Sequence, residues 1–305
     1  MLKSRSSLDN SASPQPYCQC PNSKVPPTLD HPGGCSCGEY DEPSEWQWEE
    51  PGETANRWVV LSPDNKQVTF HPVYSTGTAA VKGDTPLQQN YHYYWEIKML
   101  TEPYGTDITV GVGTDKANLT DLLFHFGALL GRDTESYGLS YKGELRHNAL
   151  VARESMGFCR GSIVGVMVDM WQGTLEFYLN RQPQGPSFYN LRRHQALYPM
   201  ISSTAAQSSM RLIYAASWRA SLLVDAAKTL AASVSGAGLV MLPPGLRNRF
   251  KSHFWLTLPN KDVLLGDDTE NNNKSIQTGF FPSSVIMNGC YVDNVERDFR
   301  IVLWQ

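Results

Sequence analysis

Along residues 164–180, VGVMVDMWQGTLEFYLN, side chains alternate with period two on both sides of a central turn. Val164, Val166 and Val168 are interleaved with Gly165, Met167 and Asp169. After Trp171, Gln172 and Gly173 the pattern resumes, with Leu175, Phe177 and Leu179 between Thr174, Glu176 and Tyr178. A helix would scatter these apolar residues around its circumference, whereas a strand collects them on one face. The stretch therefore predicts a β-hairpin with a buried side, and Gly173 supplies the positive φ that a tight return needs. Similar short runs recur at 57–61, 68–70, 93–99, 108–113, 137–141, 197–202 and 210–214, with turn-forming clusters at 62–65, 104–107 and 180–185. Many short strands without interleaved long helices predict a mainly β fold, a sandwich whose end loops offer a binding surface.

The period changes after residue 218. Leu222, Ala226 and Leu230 recur every fourth residue with Leu223 and Ala227 beside them, and Ser221 stands where a helix cap or first turn belongs. This is an apolar stripe at helical spacing, suited to packing on the sandwich itself. Residues 1–50 are rich in Pro, Ser, Gly and Asp and poor in aliphatics, which predicts a disordered tail. Cys18 and Cys20 form one CxC unit there, and Cys35 and Cys37 a second. Four thiols could in principle close a tetrahedral zinc site, but zinc ribbons use CxxC, whose extra residue lets the backbone wrap the metal. The expectation is free thiols in a reducing compartment and no metal.

Composition narrows the function. The chain has 305 residues, 41% of them hydrophobic, and a formal charge of −4 with Lys and Arg dispersed. That is enough apolar content for a core and gives no electrostatic footprint for nucleic acid. There is no signal-peptide h-region and no run of bilayer-crossing length, so a cytoplasmic or nuclear protein without membrane contact is expected. The sequons at Asn118 and Asn273 are then chance matches. GxSxG, HExxH and a P-loop are all missing, and Gly111 and Gly113 lack a third glycine and a following helix. His71, His147 and Asp169 do not assemble into a triad from sequence, and neither Cys159 nor Cys290 has a base that sequence can assign. No catalytic residue and no cofactor is expected.

The blocks WEIKM, VGVGTDKANL, ESYGLSYKGELRHN, VDMWQGTLEFYLN and LYPMIS, in this order and spacing, resemble a SPRY domain, and more narrowly the family of SPRY domain-containing SOCS box proteins. The resemblance covers 57–216 as SPRY domain and 217–256 as SOCS box, and leaves 257–305 unassigned. It implies a bent β-sandwich of two antiparallel sheets followed by a small α-helical box. In the box, Ser221, Leu222, Ala226 and Leu230 fall on the elongin-binding pattern, with Ala226 where the family has Cys. The smaller side chain should weaken elongin C binding by about 1 kcal/mol. Leu242, Pro243, Pro244 and Leu246 fall on the cullin-selecting motif, with Met241 at its first Pro position.

The same resemblance places a peptide-binding site on the SPRY loops, at Phe70, Pro72, Tyr74, Phe126, Leu129, Thr204 and Ala205. Family ligands are short acidic, Asn-rich peptides of Asp/Glu-Ile-Asn-Asn-Asn type, and each Asn side chain offers donors and an acceptor that a backbone-lined pocket can pair. Pro72 and Leu129 match the family. Phe70 stands where relatives carry Arg, Phe126 replaces a Tyr and Ala205 a Trp, so a more apolar pocket is expected. Residues 270–273, Glu-Asn-Asn-Asn, resemble the ligand itself. The function implied is substrate recognition for an elongin B/C cullin-RING ubiquitin ligase, which captures a protein by a short linear degron and promotes its proteasomal degradation. The alternative is a SPRY interaction module whose degenerate box recruits no ligase.

Overall fold

Val164, Val166 and Val168 stand opposite Leu179, Phe177 and Leu175 across an antiparallel pair, and all six lie in the main core. Gly173 has φ +77° and donates its N–H to the Asp169 carbonyl at 2.7 Å. The Asp169 carboxylate accepts the N–H groups of Trp171 and Gln172 at 2.9 and 2.7 Å, closing the turn. The predicted hairpin is thus present with its predicted inner face.

The computed structural model describes residues 13–18, 20, 35–39, 44–52, 55–233 and 243–245. The strands are β1 (Val59–Leu61), β2 (Gln67–Phe70), β3 (Ala79–Lys82), β4 (Tyr91–Met99), β5 (Ile108–Gly113), β6 (Ser136–Ser140) and β7 (Glu144–His147). They continue with β8 (Leu150–Glu154), β9 (Ile163–Asp169), β10 (Thr174–Leu179), β11 (Gln182–Phe188), β12 (Tyr198–Ser203) and β13 (Ser208–Arg219), and helix α1 (Leu222–Ser233) follows. One sheet has the order β1-β2-β13-β4-β9-β10-β11 and the other β3-β12-β5-β6-β7-β8. Every pairing is antiparallel. This is the two-sheet sandwich the strand pattern predicts, with a core of inward residues such as Trp95, Ile97, Val166, Phe177, Val110 and Ile201 from both sheets.

The seven-stranded sheet is covered on its outer face as well, which is why β4 and β9 are buried almost throughout. A bulge between Leu212 and Tyr214 inserts an extra residue in β13 opposite β4. It shifts the alternation, so that Met210, Leu212 and Ala215 join the core while Tyr214 joins Tyr94, Met167 and Tyr178 on the outer face.

Two expectations need correction. Residues 180–185, read as a turn cluster, hold only a two-residue turn at Asn180 and Arg181, both with positive φ, and then become β11. That strand lies at the sheet edge, where Pro183 and Pro186 cost no ladder hydrogen bonds. The loose tail over 1–50 does not hold for its described part. Trp46 and Trp48 enter the core, stacked edge-to-face at 5.1 Å, with Trp46 also against Trp95 at 5.9 Å. Trp48 donates its backbone N–H to Asn65 and its indole N–H to Lys66. An average over composition hides this, because two indoles bury as much apolar area as several aliphatic side chains.

Candidate functional site

Beyond β2 the chain enters a loop at 71–78 that is tied to two others. Thr78 donates its N–H to Leu122 O at 2.7 Å and its hydroxyl to Gly127 O at 2.7 Å. Thr76 donates to Leu123 O at 2.8 Å and itself accepts the Trp58 indole N–H at 3.0 Å. The approach is so close at Gly77 that a Cβ there would lie 2.3 Å from Leu122 O and 2.5 Å from His125 N. On the other side, Ser75 Oγ donates to Thr204 O at 2.7 Å and Gln207 N to His71 O at 2.9 Å. Thr204 in turn exchanges hydrogen bonds with Asp107. Tyr104 donates its hydroxyl to Ala206 O at 2.7 Å, which brings in the 101–107 loop.

These loops expose Val73, Tyr74, Tyr104, Phe124 and Phe126. Solvent-facing aromatics gathered on hydrogen-bonded loops form an apolar surface suited to a ligand. Of the residues assigned from the resemblance, Tyr74 is 64% and Phe126 56% exposed, and Pro72 is partly exposed. The other four sit beneath the surface. Phe70 is wholly buried in the core, because the alternation of β2 turns it inward with Val68, so it cannot line a pocket. Ala205 is also core. Leu129 packs with Leu122, Leu130 and Met200, and Thr204 is occupied by Asp107. Tyr104, Phe124 and Trp58, which stacks edge-to-face on Phe124 at 5.5 Å, were missed. Of these only Tyr104 carries a sequence signal, an aromatic residue inside the 104–107 turn cluster.

His71 secures this face from below. Its ring is buried, has φ +48°, and its Nε2 lies 3.1 Å from Ser203 O, so Nε2 carries the proton and donates. Nδ1 is buried without a hydrogen-bond partner. Burial holds the imidazole below its ordinary value of 6.5, against the opposing effect of the Ser203 carbonyl. A His depressed in the folded state is neutral in both states well above pH 6.5, and the unfolded chain protonates first as pH falls. Stability is therefore expected to decline from about pH 6.5 downward. Urea midpoints at pH 7.5 and 5.5 check this, and His71→Gln should flatten the difference.

Helix α1 starts after Ser221, whose hydroxyl accepts the Val224 N–H at 3.3 Å and whose carbonyl accepts that of Asp225 at 3.0 Å. Val224 and Ala227 pack on Tyr94, Met167, Tyr178 and Tyr214. Asp225 lies 3.5 Å from His92 Nε2, and His92 Nδ1 lies 3.2 Å from Asp169. Lys228 reaches the same Asp169 carboxylate at 3.9 Å. The stripe read from sequence thus divides between two faces. Leu222, 88% exposed, and Ala226 point to solvent, and Leu230 is partly exposed, while their neighbours hold the helix down. Pro243 and Pro244 are exposed. Leu242, Leu246 and the 270–273 run lie outside the described residues.

Residues 92–216 match the SPRY domain family model, a span from β4 through most of β13 that includes the 119–131 and 203–207 loops. A SPRY domain-containing SOCS box protein 3 from Xenopus tropicalis is 41% identical over 76% of this chain and 66% of its own length. The chain belongs to the SPRY domain-containing SOCS box family. The Xenopus laevis protein of the same name is 40% identical over the same shares. The human SPRY domain-containing SOCS box protein 2 is 34% identical over 47% of this chain and 56% of that one. Among solved structures, the SPRY domain of human HERC1 gives a TM-score of 0.43 at 16% identity, over 51% of this chain and 92% of that one. The chain thus spans about two thirds of the length of its frog relatives. As a SPRY domain-containing SOCS box protein it carries a SPRY-type interaction module.

Proposed function

We propose that this SPRY domain-containing SOCS box protein is the non-catalytic substrate-recognition subunit of an elongin B/C cullin-RING ubiquitin ligase, acting in the cytoplasm or nucleus. The observation that carries the reading is the division of α1. Leu222 is 88% exposed and Ala226, one turn on, is exposed too, while Val224 and Ala227 pack on the sheet, so the box-pattern face of α1 is accessible to a partner. Elongin C is the partner that the box pattern fits, and Pro243 and Pro244 stand free for a cullin. The aromatic loop face would take the degron. Its exposed members, Tyr74 and Phe126, are apolar and amphipathic, which suits a short peptide whose Asn side chains bond to loop backbone.

Co-expression with elongins B and C tests both surfaces together. Leu222→Asp is expected to abolish co-purification while leaving the melting temperature unchanged, because the side chain is in solvent. Tyr74→Ala combined with Phe126→Ala should keep the elongins but lose capture of an immobilised Asp-Ile-Asn-Asn-Asn peptide. Elongin binding indifferent to Leu222→Asp would sink the ligase role. Ala226 favours the second reading, an interaction module without a ligase, since one sulfur less to bury weakens the elongin contact about 5-fold. That is a weakening that a stable three-protein complex would outlast.

A further inference from the structure

The four thiols expected to be free in a tail are brought together. Cys18 Sγ lies 3.6 Å from Cys35 Sγ, Cys20 Sγ lies 3.7 Å from Cys37 Sγ, and all four sulfurs fall within 4.8 Å of one another. All four are buried. A disulfide needs sulfurs at about 2.05 Å, whereas four thiolates on one zinc at about 2.3 Å stand about 3.8 Å apart at the corners of a tetrahedron. The Cys18–Cys35 and Cys20–Cys37 separations are those of two of the tetrahedron's edges, and the remaining pairs stay within 4.8 Å.

The surroundings point the same way. Among the described residues, Tyr17 is the one partly buried hydrophobic side chain packed against the cluster, so packing of the thiols alone gives little reason for the two stretches of chain to meet there. Beneath it lies Lys98, 1% exposed, whose ammonium donates to the carbonyls of Cys35 and Cys37, both at 2.8 Å. Glu39, its carboxylate partner, is 3.4 Å away and also 3.6 Å from Arg211. A buried ammonium aimed at the backbone of two ligands is an outer-shell arrangement for an anionic centre, and zinc with four thiolates carries two net negative charges. The flanking chain is ordered around the same point. Tyr17 N–H donates to Gly161 O at 2.9 Å, Arg181 donates to Tyr17 Oη and to Gly38 O, both at 2.8 Å, and Gly38 turns with φ +81°.

We propose that Cys18, Cys20, Cys35 and Cys37 bind one zinc ion as a structural tetrathiolate site, which fastens residues 13–18, Cys20 and residues 35–39 onto the outer face of the seven-stranded sheet. Four sulfur ligands close the coordination sphere and leave no position for water, so the site is structural and does not catalyse. Binding displaces the thiol protons, and the energy of the metal bonds holds a stretch of chain that its composition alone would leave loose.

The full chain, expressed with zinc in the medium and purified under reductant without chelator, is expected to hold about one zinc per molecule by mass spectrometry of the metal. Cobalt exchanged into it should give the intense thiolate-to-cobalt charge-transfer bands and visible d–d bands of a tetrahedral sulfur site. Cys37→Ser should lose both the zinc and these bands, and Cys159→Ser, outside the cluster, should keep them. Should Cys37→Ser fail to fold, cobalt titration of the unaltered chain after chelation decides alone. The proposal is overturned by substoichiometric zinc together with no tetrahedral cobalt spectrum. It is equally overturned if the four thiols prove paired as disulfides, Cys18 with Cys35 and Cys20 with Cys37, in protein kept under reductant.

Discussion

Arg181→Ala is expected to lower unfolding free energy by about 3–5 kcal/mol, read as a shift in the urea midpoint at constant slope. Arg181 grips Glu96 with two nitrogens, Nε at 2.9 and 3.3 Å and Nη2 at 3.0 Å, and both side chains are buried. Glu96 also accepts the Tyr94 hydroxyl at 2.8 Å. Truncating the arginine leaves a carboxylate under the sheet's cover with one neutral donor, and the cost comes chiefly from that uncompensated charge rather than from losing an attractive pair. The residue also sits at φ +66°, a conformation that costs a non-glycine residue about 1 kcal/mol. Arg181→Gly should therefore be milder than Arg181→Ala by about that amount. The double variant Arg181→Leu with Glu96→Leu should recover most of the loss, since a buried pair exchanged for apolar groups is often neutral. If Arg181→Ala cost less than 1 kcal/mol, the ion pair would not be a structural element of this sheet.

Trp48→Ala should cost a similar ~3–5 kcal/mol, the usual range for removing a buried aromatic. Trp48 is in the core against Trp46 and bridges the two sheets. It pairs with Gly83, next to β3, and hydrogen-bonds the β1–β2 turn at Asn65 and Lys66. Truncation leaves an indole-sized cavity and removes one of the two donors to the Lys66 carbonyl, which keeps the Leu212 N–H at 2.8 Å. A residue in a loose tail would instead change stability by less than about 0.5 kcal/mol, so thermal or urea unfolding separates the two descriptions cleanly. The loops that carry Tyr74 and the other exposed aromatics leave the opposite end of β2, so a variant that still folds should keep that face unchanged.

The two substitutions bear on different covers of one sheet. Trp48 closes the sandwich between its layers, and Arg181 anchors the segment carrying the cysteines to the outer face. Together with α1 they explain why the seven-stranded sheet is buried on both sides although its strands read as one-sided alternation. In the 164–180 stretch the outer positions Gly165, Met167 and Asp169 are polar, small or sulfur-containing and look solvent-facing, yet they are buried too. Met167 lies under α1, and Asp169 closes a turn and faces His92. Much of their cover comes from residues more than 50 positions away in either direction, Val224 and Ala227 at Met167, His92 at Asp169 and Tyr94 at Gly165, beyond the reach of any periodicity window.

The sequence by itself determined the sandwich and its central hairpin, because period-two alternation and a glycine turn are local and a register slip would turn the core outward. Order and spacing of the strand blocks carried the SPRY family, and the four-residue stripe carried the helix after it. Only the tertiary structure decided which side of each element does what. Phe70 and Tyr74 are four residues apart, and the pairing of β2 sends one into the core while the loop leaves the other in solvent. Leu222 and Val224 share one helix, and the outer face of the sheet takes Val224 and leaves Leu222 free. Two CxC units carry no spacing signal for a metal, since their sulfurs meet only when Lys98 and Arg181 hold the 35–39 backbone, and Gly161, Ser162 and Asn180 the backbone of Gln15 and Tyr17, against the sheet. Chemistry made by long-range pairing is legible in coordinates, and local alternation is legible in sequence.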